Sequence, residues 1–172
     1  MKWVLIALGI LIGVVALAWV IGAMLPRDHV ATRMARYSQP PEKIWQAIND
    51  ADAFPSWRTG LTAVKRLPEE DGKGGWVETS SFGEMPLRVV ESDAPRRLVM
   101  RIASDELPFG GTWTYEVASL EGGATLRITE DGFVKPALFR FMSRFLFGHT
   151  ATLEQYLRDL GKKFGEVVTP QV

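Results

Sequence analysis

Two ionisable side chains are in phase with the apolar residues of their predicted elements, where a proton-transfer group could be shielded from water. Glu130 continues the alternation of Leu126 and Ile128, so its carboxyl group is expected on the face that these residues bury. His149 falls on the apolar side of a long helical pattern. Because burial raises the pKa of a carboxyl group and suits it to acid–base chemistry, Glu130 and His149 are the candidate catalytic residues.

Both residues also have plainer interpretations. Glu130 lies at the end of its strand, where it can be solvated or paired with an arginine, and Glu91 is in the same situation. His149, which follows Gly148, can be a hydrogen-bonded core histidine. No serine or threonine stands in a recognisable His/Asp setting, so the sequence does not indicate a nucleophilic triad.

The elements that must position these residues are short strands followed by one long helix. A first strand, Val30 to Ser38, is followed by two short helices, one from Pro41 to Asn49 and a second before Trp57. Six segments in which apolar and polar residues alternate come next, at 64–67, 75–80, 85–91, 98–102, 113–117 and 126–130. From Pro136 to about Val167 apolar residues recur at helical spacing. The pattern predicts an α+β fold in which a curved antiparallel sheet wraps around the C-terminal helix.

The concave side of such a sheet and the apolar stripe of the helix are expected to enclose a mostly apolar ligand cavity. The alternative for each lining residue is that its side chain simply fills the core. The residues predicted to contact a ligand are Trp45, Trp57, Phe82, Leu87, Met100, Trp113, Tyr115, Phe139, Met142, Leu146, Leu153 and Tyr156. Phe141 and Phe147 fit the buried stripe poorly and suit a bilayer interface or a partner surface. The alternative is that a loop of the same domain covers them.

The N-terminal segment from Trp3 to Leu25 contains no charged residue and is long enough to cross a bilayer. A cleaved secretory signal is the alternative, but its apolar region would be shorter, roughly 7 to 15 residues. We therefore predict a single-pass membrane anchor over residues 1–26 and one folded domain over residues 27–172.

Two further properties of the anchor follow from its sequence. Gly9 and Gly13 have the small-xxx-small spacing that permits a homodimer through this helix. Basic residues are more frequent after the segment than before it, which favours a cytoplasmic domain. They are Lys2 on one side and Arg27, Arg33, Arg36 and Lys43 on the other.

Composition narrows the function further. Lysine plus arginine equals aspartate plus glutamate at 20 each, so no net field attracts nucleic acid, which is not a predicted partner. The chain has no cysteine and only two histidines, His29 and His149, so no metal site is predicted. No sequence feature indicates a cofactor.

Four short motifs resemble the SRPBCC or START-like helix-grip superfamily, which includes polyketide cyclase/dehydrase-like proteins and lipid-transfer domains. The resemblance covers about Val30 to Val167 and includes essentially all of the chain outside the anchor. The motifs are Gln39-Pro40-Pro41-Glu42-Lys43-Ile44-Trp45, Phe54-Pro55-Ser56-Trp57-Arg58, Arg88-Val89-Val90-Glu91 with Pro95-Arg96-Arg97-Leu98, and Thr129-Glu130-Asp131-Gly132 with Pro136.

The resemblance implies a ligand-holding cavity between sheet and long helix, but no single reaction. The expected function is a membrane-tethered, non-catalytic protein that binds a lipid or another hydrophobic small molecule. One alternative is a cyclase/dehydrase-like enzyme that uses Glu130, His149, Tyr115 or Tyr156 in the cavity. The other is an interaction protein whose sheet and helix are packed solidly together.

Overall fold

The computed structural model describes residues 2–172, apart from the side chain of Phe147. An apolar helix, α1 (Lys2–Met24), precedes the folded domain, and the remaining elements follow in chain order. They are β1 (Asp28–Tyr37), α2 (Pro41–Asn49), a 3₁₀ helix (Ala51–Ser56), β2 (Leu61–Glu70), β3 (Lys73–Ser80), β4 (Gly83–Asp93), β5 (Arg97–Ile102), β6 (Phe109–Leu120), β7 (Gly123–Val134), α3 (Ala137–Met142), a π-helical turn (Ser143–Phe147) and α4 (Ala151–Lys163).

The strands form one antiparallel sheet in the order β1-β7-β6-β5-β4-β3-β2. β1 begins and β7 ends next to the C-terminal end of α1, where the amide of Val134 donates a hydrogen bond to the carbonyl of Arg27. Because neighbouring strands alternate in direction, β2, β4 and β6 also begin at this end, which we call the α1 end of the sheet. This architecture confirms the predicted α+β helix-grip fold.

Alternation of side chains gives the sheet one buried face. On β7, Ala124, Leu126 and Ile128 are fully buried, whereas Arg127 points to solvent. α4 covers this face with Leu153, Leu157 and Leu160, which are also fully buried. The hydroxyl group of Tyr37 on β1 donates a hydrogen bond to the carbonyl of Leu157 at 2.9 Å, which fixes α4 against the sheet.

The turns are built by residues that tolerate a left-handed backbone. Asp71 and Gly72, between β2 and β3, both have positive φ, as a tight hairpin turn of this type requires. At the start of α2, Pro41 occupies the first turn, where its missing N–H costs no hydrogen bond. α2 then buries Ile44, Ala47 and Ile48, as its amphipathic pattern predicts.

The prediction of one continuous C-terminal helix is wrong. Helical structure stops at Gly148, whose φ of 74° is unfavourable for any residue with a side chain, and resumes at Ala151. α4 ends at Lys163, before the predicted end at Val167. α3 and the π-helical turn therefore form a separate unit, and this unit packs against α1 rather than on the concave face alone.

The separation of α3 from α4 changes the surroundings of several residues. Arg140 is buried against α1, whereas Phe139 and Leu146, predicted to contact a ligand, are 45% and 67% exposed. Phe82, predicted to face inward, is 97% exposed at the turn between β3 and β4. Phe141 is half-buried, and the prediction for the side chain of Phe147 lies outside the described residues.

The helix α1 is long and apolar enough to span a membrane, by length and composition. Only 6% of its most apolar window is buried against the rest of the chain, which distinguishes it from a core helix of a soluble protein.

Candidate functional site

Strand pairing and the loop after Gly148 bring three polar residues together at the α1 end of the sheet, on an otherwise apolar face. Glu130 on β7 pairs with Trp113 on β6 and with Ala31 on β1. His29 on β1 pairs with Gly132, two residues beyond Glu130 on the same face. The loop that follows Gly148 then places His149 over His29. We call Glu130, His29 and His149 the Glu130 cluster.

The members of the Glu130 cluster are in direct contact. Nε2 of His29 lies 3.4 Å from Oε1 of Glu130, and the imidazole rings of His29 and His149 stack with their centres 4.1 Å apart. The side chains of His29 and Glu130 are 13% and 20% exposed, so the cluster is shielded but not sealed. Nδ1 of His29 is buried and has no hydrogen-bond partner among the described residues.

Burial controls the protonation of this cluster. Desolvation raises the pKa of Glu130 to about 7, and a hydrogen bond from the side chain of Trp113 opposes the rise. Desolvation lowers the pKa of His29, although Asp131 and Asp28 act in the opposite sense. Desolvation also lowers the pKa of His149, with further contributions from His29 and Arg144. Near neutral pH the cluster therefore combines neutral imidazoles with a carboxyl group that can gain or lose a proton.

Gly132 lies directly beside the contact between His29 and Glu130. A Cβ atom at position 132 would lie 3.1 Å from Cε1 of His29 and 3.2 Å from Oε1 of Glu130. These separations are tighter than ordinary van der Waals contact, so a side chain there would require the ends of His29 and Glu130 to shift by a few tenths of an ångström. The absence of a side chain at position 132 thus leaves space for the imidazole of His29 next to the carboxyl group of Glu130.

A second polar group lies under α4, in the interior of the domain. Nη1 of Arg58 is 2.5 Å from Oε1 of Glu78, which also accepts a hydrogen bond from the indole N–H of Trp76 at 3.1 Å. The guanidinium carbon of Arg58 lies 5.0 Å from the ring centres of both Phe54 and Tyr156. We call these five residues the Arg58 cluster.

Charge pairing and desolvation set the protonation states in this second cluster. Burial lowers the pKa of Arg58, but Glu78 and its hydrogen bond outweigh that effect, so the net shift is upward and the guanidinium stays charged. Burial raises the pKa of Tyr156, and it raises that of the neighbouring Tyr115 well above its ordinary value. Both phenols therefore remain protonated and can donate hydrogen bonds.

Aromatic rings occupy much of the space beneath α4. The rings of Trp57 and Tyr115 each pack against Tyr156, with centres 5.4 and 5.6 Å apart. Two surface depressions lie elsewhere, one of about 390 Å³ at the ends of β5 and β6 and the other of about 450 Å³ on the outer face of the sheet. Neither depression is lined by residues of the C-terminal helices.

The structure distributes the predicted ligand-contacting residues into three groups. Leu87, Met100, Tyr115, Leu153 and Tyr156 are buried in the core. Trp45, Trp57, Trp113 and Met142 are half-buried, and Trp113 is directly beside Glu130. Phe82, Phe139 and Leu146 are exposed and are not brought together with the core residues.

Both predicted acid–base candidates belong to the Glu130 cluster, whereas other polar members of the site were missed. His29 could have been found because it is separated from Ala31 and Ala35 by an even number of positions, so that it shares their buried face of β1. Glu78 likewise lies two residues after Trp76 and shares its buried face of β3. Glu91 is exposed and pairs with Arg97, as its plainer interpretation anticipates. No group of three or more acidic or histidine side chains within residues 2–172 is arranged to hold a metal ion.

Comparisons with known proteins agree with this architecture. The sequence model of the family described as "Polyketide cyclase / dehydrase and lipid transport" matches residues 30–162. No curated protein shows significant sequence similarity to the chain.

Several solved structures share the fold at low sequence identity. A START superfamily protein from Mycobacterium smegmatis is 15% identical, with a TM-score of 0.63 over 78% of this chain and 96% of that one. The ZhuI aromatase/cyclase from Streptomyces sp. R1128 is 11% identical, with a TM-score of 0.64 over 79% and 93%. The di-domain aromatase/cyclase StfQ from the steffimycin biosynthetic pathway is 13% identical, with a TM-score of 0.63 over 81% and 53%. These identities establish the fold alone.

Proposed function

The chain belongs to the polyketide cyclase/dehydrase and lipid transport family, and from this premise we propose that it binds a lipid or another hydrophobic small molecule while tethered to a membrane by α1. The ligand lies between the concave face of the sheet and the junction of α3 with α4. Its apolar part contacts Trp113 and neighbouring side chains, and its polar end is held by the Glu130 cluster.

The observation that carries this proposal is the Glu130 cluster itself. A protonatable carboxyl group and two neutral imidazoles are placed on an apolar face, only partly shielded from solvent. Such a group can donate or accept hydrogen bonds, which suits the carboxyl, hydroxyl or carbonyl end of an amphipathic molecule. The buried Nδ1 of His29, without a partner in the described residues, offers one further hydrogen-bonding atom.

The tether supports a ligand that comes from the bilayer. β1 begins four residues after α1 ends, so the α1 end of the sheet stays close to the membrane surface. The Glu130 cluster lies at that same end. A membrane-derived molecule would therefore reach the cluster without crossing the packed interior around the Arg58 cluster.

Extraction of the purified full chain with organic solvent, followed by mass spectrometry, tests the proposal. Lipids that surround α1 will be present in every preparation, so the matched control is Gly132→Leu, which keeps α1 and fills the space between His29 and Glu130. We expect one class of apolar molecule to be enriched in the wild type and depleted in Gly132→Leu, with Gly132→Ala intermediate. Circular dichroism establishes that each variant is folded.

Identical lipid profiles in the wild type and folded Gly132→Ala and Gly132→Leu variants would contradict ligand binding at this site. That result would favour an interaction protein in which sheet and helices pack without a guest.

A cyclase/dehydrase-like activity is the second candidate, and the contact between Glu130 and His29 favours it. A carboxyl group with a pKa of about 7 is suited to give up and recover a proton near neutral pH. The test is to incubate the extracted compound with the full chain and follow its mass. An enzyme of this class would convert it, for example by loss of water, and Glu130→Gln would abolish conversion while retaining the bound compound. No mass change with the wild type would leave the binding function only.

A further inference from the structure

The α1 end of the domain exposes large apolar side chains that the fold does not cover. Phe82, at the turn between β3 and β4, is 97% exposed, and Phe145 and Leu146 on the π-helical turn are 57% and 67% exposed. β3 ends and β4 begins at the α1 end of the sheet, so the Phe82 turn and the π-helical turn extend from the same end of the domain. A single exposed apolar side chain is ordinary, but several large ones at the end of the domain that adjoins an exposed apolar helix are suited to a shared apolar surface.

The π-helical turn is held in a defined position relative to α1. Gly22 lies so close to α3 that a Cβ atom there would be 2.0 Å from the carbonyl oxygen of Ala137. Nε of the buried Arg140 donates a hydrogen bond to the carbonyl of Gly22 at 2.8 Å, and Nη1 donates to the carbonyl of Lys135 at 2.9 Å. The carbonyl of Gly22 also accepts a longer hydrogen bond, at 3.3 Å, from the amide of Leu25. Arg140 thus adds a second and shorter hydrogen bond to a carbonyl group in the last turn of α1.

These contacts set the depth at which α3 meets a bilayer. Gly22 is two residues before Met24, the last residue of α1, which corresponds to roughly 3 Å along the helix axis at about 1.5 Å per residue. Trp19 and Met24 on either side of Gly22 are 57% and 83% exposed. If α1 spans the membrane, its end and the adjoining α3 lie at the boundary between headgroups and acyl chains, where aromatic side chains are favoured.

We propose that the α1 end of the domain docks on the lipid bilayer by inserting Phe82, Phe145 and Leu146 into this boundary. The inference rests on the proposed membrane anchor. It adds that the domain is held in one orientation by two apolar tips, one on the sheet and one on the π-helical turn. In that orientation the side of the domain that carries the Glu130 cluster faces the lipid, which supplies a route for an apolar ligand.

Site-specific fluorescence in reconstituted bilayers tests this orientation. Because the chain has no cysteine, single cysteines can be placed in the full chain and labelled with the polarity-sensitive dye NBD. Labels at Ser81→Cys and Leu146→Cys report on the two apolar tips. A label at Ala16→Cys reports on the middle of α1. The control label, at Glu121→Cys, lies on the exposed turn between β6 and β7 at the opposite end of the sheet. The vesicles contain palmitoyl-oleoyl phosphatidylcholine, with or without a lipid that carries a spin label high on its acyl chain.

We expect the labels at positions 81 and 146 to shift to the blue and to be quenched at least twofold by the spin-labelled lipid, with position 121 unaffected. Adding Phe82→Ser to Ser81→Cys is expected to abolish quenching at position 81 without changing the circular dichroism spectrum, since Phe82 is almost fully exposed.

The outcomes separate the docking proposal from the anchor. If position 81 or position 146 behaves like position 121 while position 16 is protected inside the bilayer, the docking proposal is wrong and the anchor stands. If position 16 is also in water, both are wrong. Ligand binding is judged independently, by the extraction experiment.

Discussion

Replacing Glu130 with glutamine removes the only charge that this carboxyl group can carry while preserving its shape. In the folded chain desolvation raises the pKa of Glu130 from 4.5 to about 7. Between these values the folded state keeps a proton that the unfolded state has released. The free energy of unfolding of the wild type therefore falls as the pH rises from about 4.5 to 7, and the loss is complete above pH 7.

The size of this effect follows from the interval between the two pKa values. At about 1.4 kcal/mol per pKa unit, the cost of ionising Glu130 in the folded state is about 3.5 kcal/mol at most, and partial exposure of the carboxyl group reduces it. Glu130→Gln cannot ionise, so the variant should match the wild type near pH 4.5 and exceed its stability by about 2 to 3 kcal/mol at pH 8. The lowered pKa values of His29 and His149 reduce stability as the pH falls below about 6.5. They affect both proteins, so they largely cancel in the difference.

Urea denaturation of the full chain in a mild detergent, followed by tryptophan fluorescence at pH 5, 6, 7 and 8, measures this difference. Glu121→Gln, on the exposed turn between β6 and β7, is the matched control and should follow the wild type at every pH. A constant difference between Glu130→Gln and the wild type across the range would refute the reasoning. It would mean that Glu130 is solvated and that the Glu130 cluster does not hold a proton near neutral pH.

Two further predictions concern the interior and the anchor. Glu78→Gln leaves the buried guanidinium of Arg58 without its counter-charge. It should reduce the free energy of unfolding, measured by urea denaturation, by about 3 to 5 kcal/mol. A loss below about 1 kcal/mol would show that water reaches the pair. Gly22→Leu should separate α3 from α1, because its Cβ atom would lie 2.0 Å from the carbonyl oxygen of Ala137. The distribution of pulsed EPR distances between spin labels on α1 and on the sheet should broaden in this variant. It should not broaden in the control Gly13→Leu, whose added Cβ atom meets nothing within 4 Å. Equal distributions in the two variants would argue against a fixed contact between α1 and α3.

Local patterns in the sequence were sufficient for most of the fold. Alternation at period two placed the strands, because a sheet with one buried face must alternate apolar and polar side chains. The phase of β7 also predicted that Glu130 points inward beside Leu126 and Ile128. The break at Gly148 was missed, because a glycine inside an apolar helical pattern shows no sign of the φ that it adopts.

The exposed faces of the C-terminal segment could not be assigned from sequence. Phe139 and Leu146 have the spacing of core residues, yet the structure leaves them uncovered beside α1. A pattern of apolar residues indicates only that these side chains are kept from water. The pattern is the same whether they pack against protein or against lipid. Arg140 shows the converse, since a charged residue among these apolar ones is buried and donates a hydrogen bond to the carbonyl of Gly22, 118 positions earlier.

The sequence by itself determined the fold class, the apolar N-terminal helix and the inward phase of Glu130, because each depends on residues that are close together in the chain. Only the tertiary structure decided which groups meet. His29 reaches Glu130 through the pairing of the first strand with the last, and Arg58 meets Glu78 because the chain returns to the same place after 20 residues. Such contacts depend on strand register and helix docking, which are set by the packing of the whole domain.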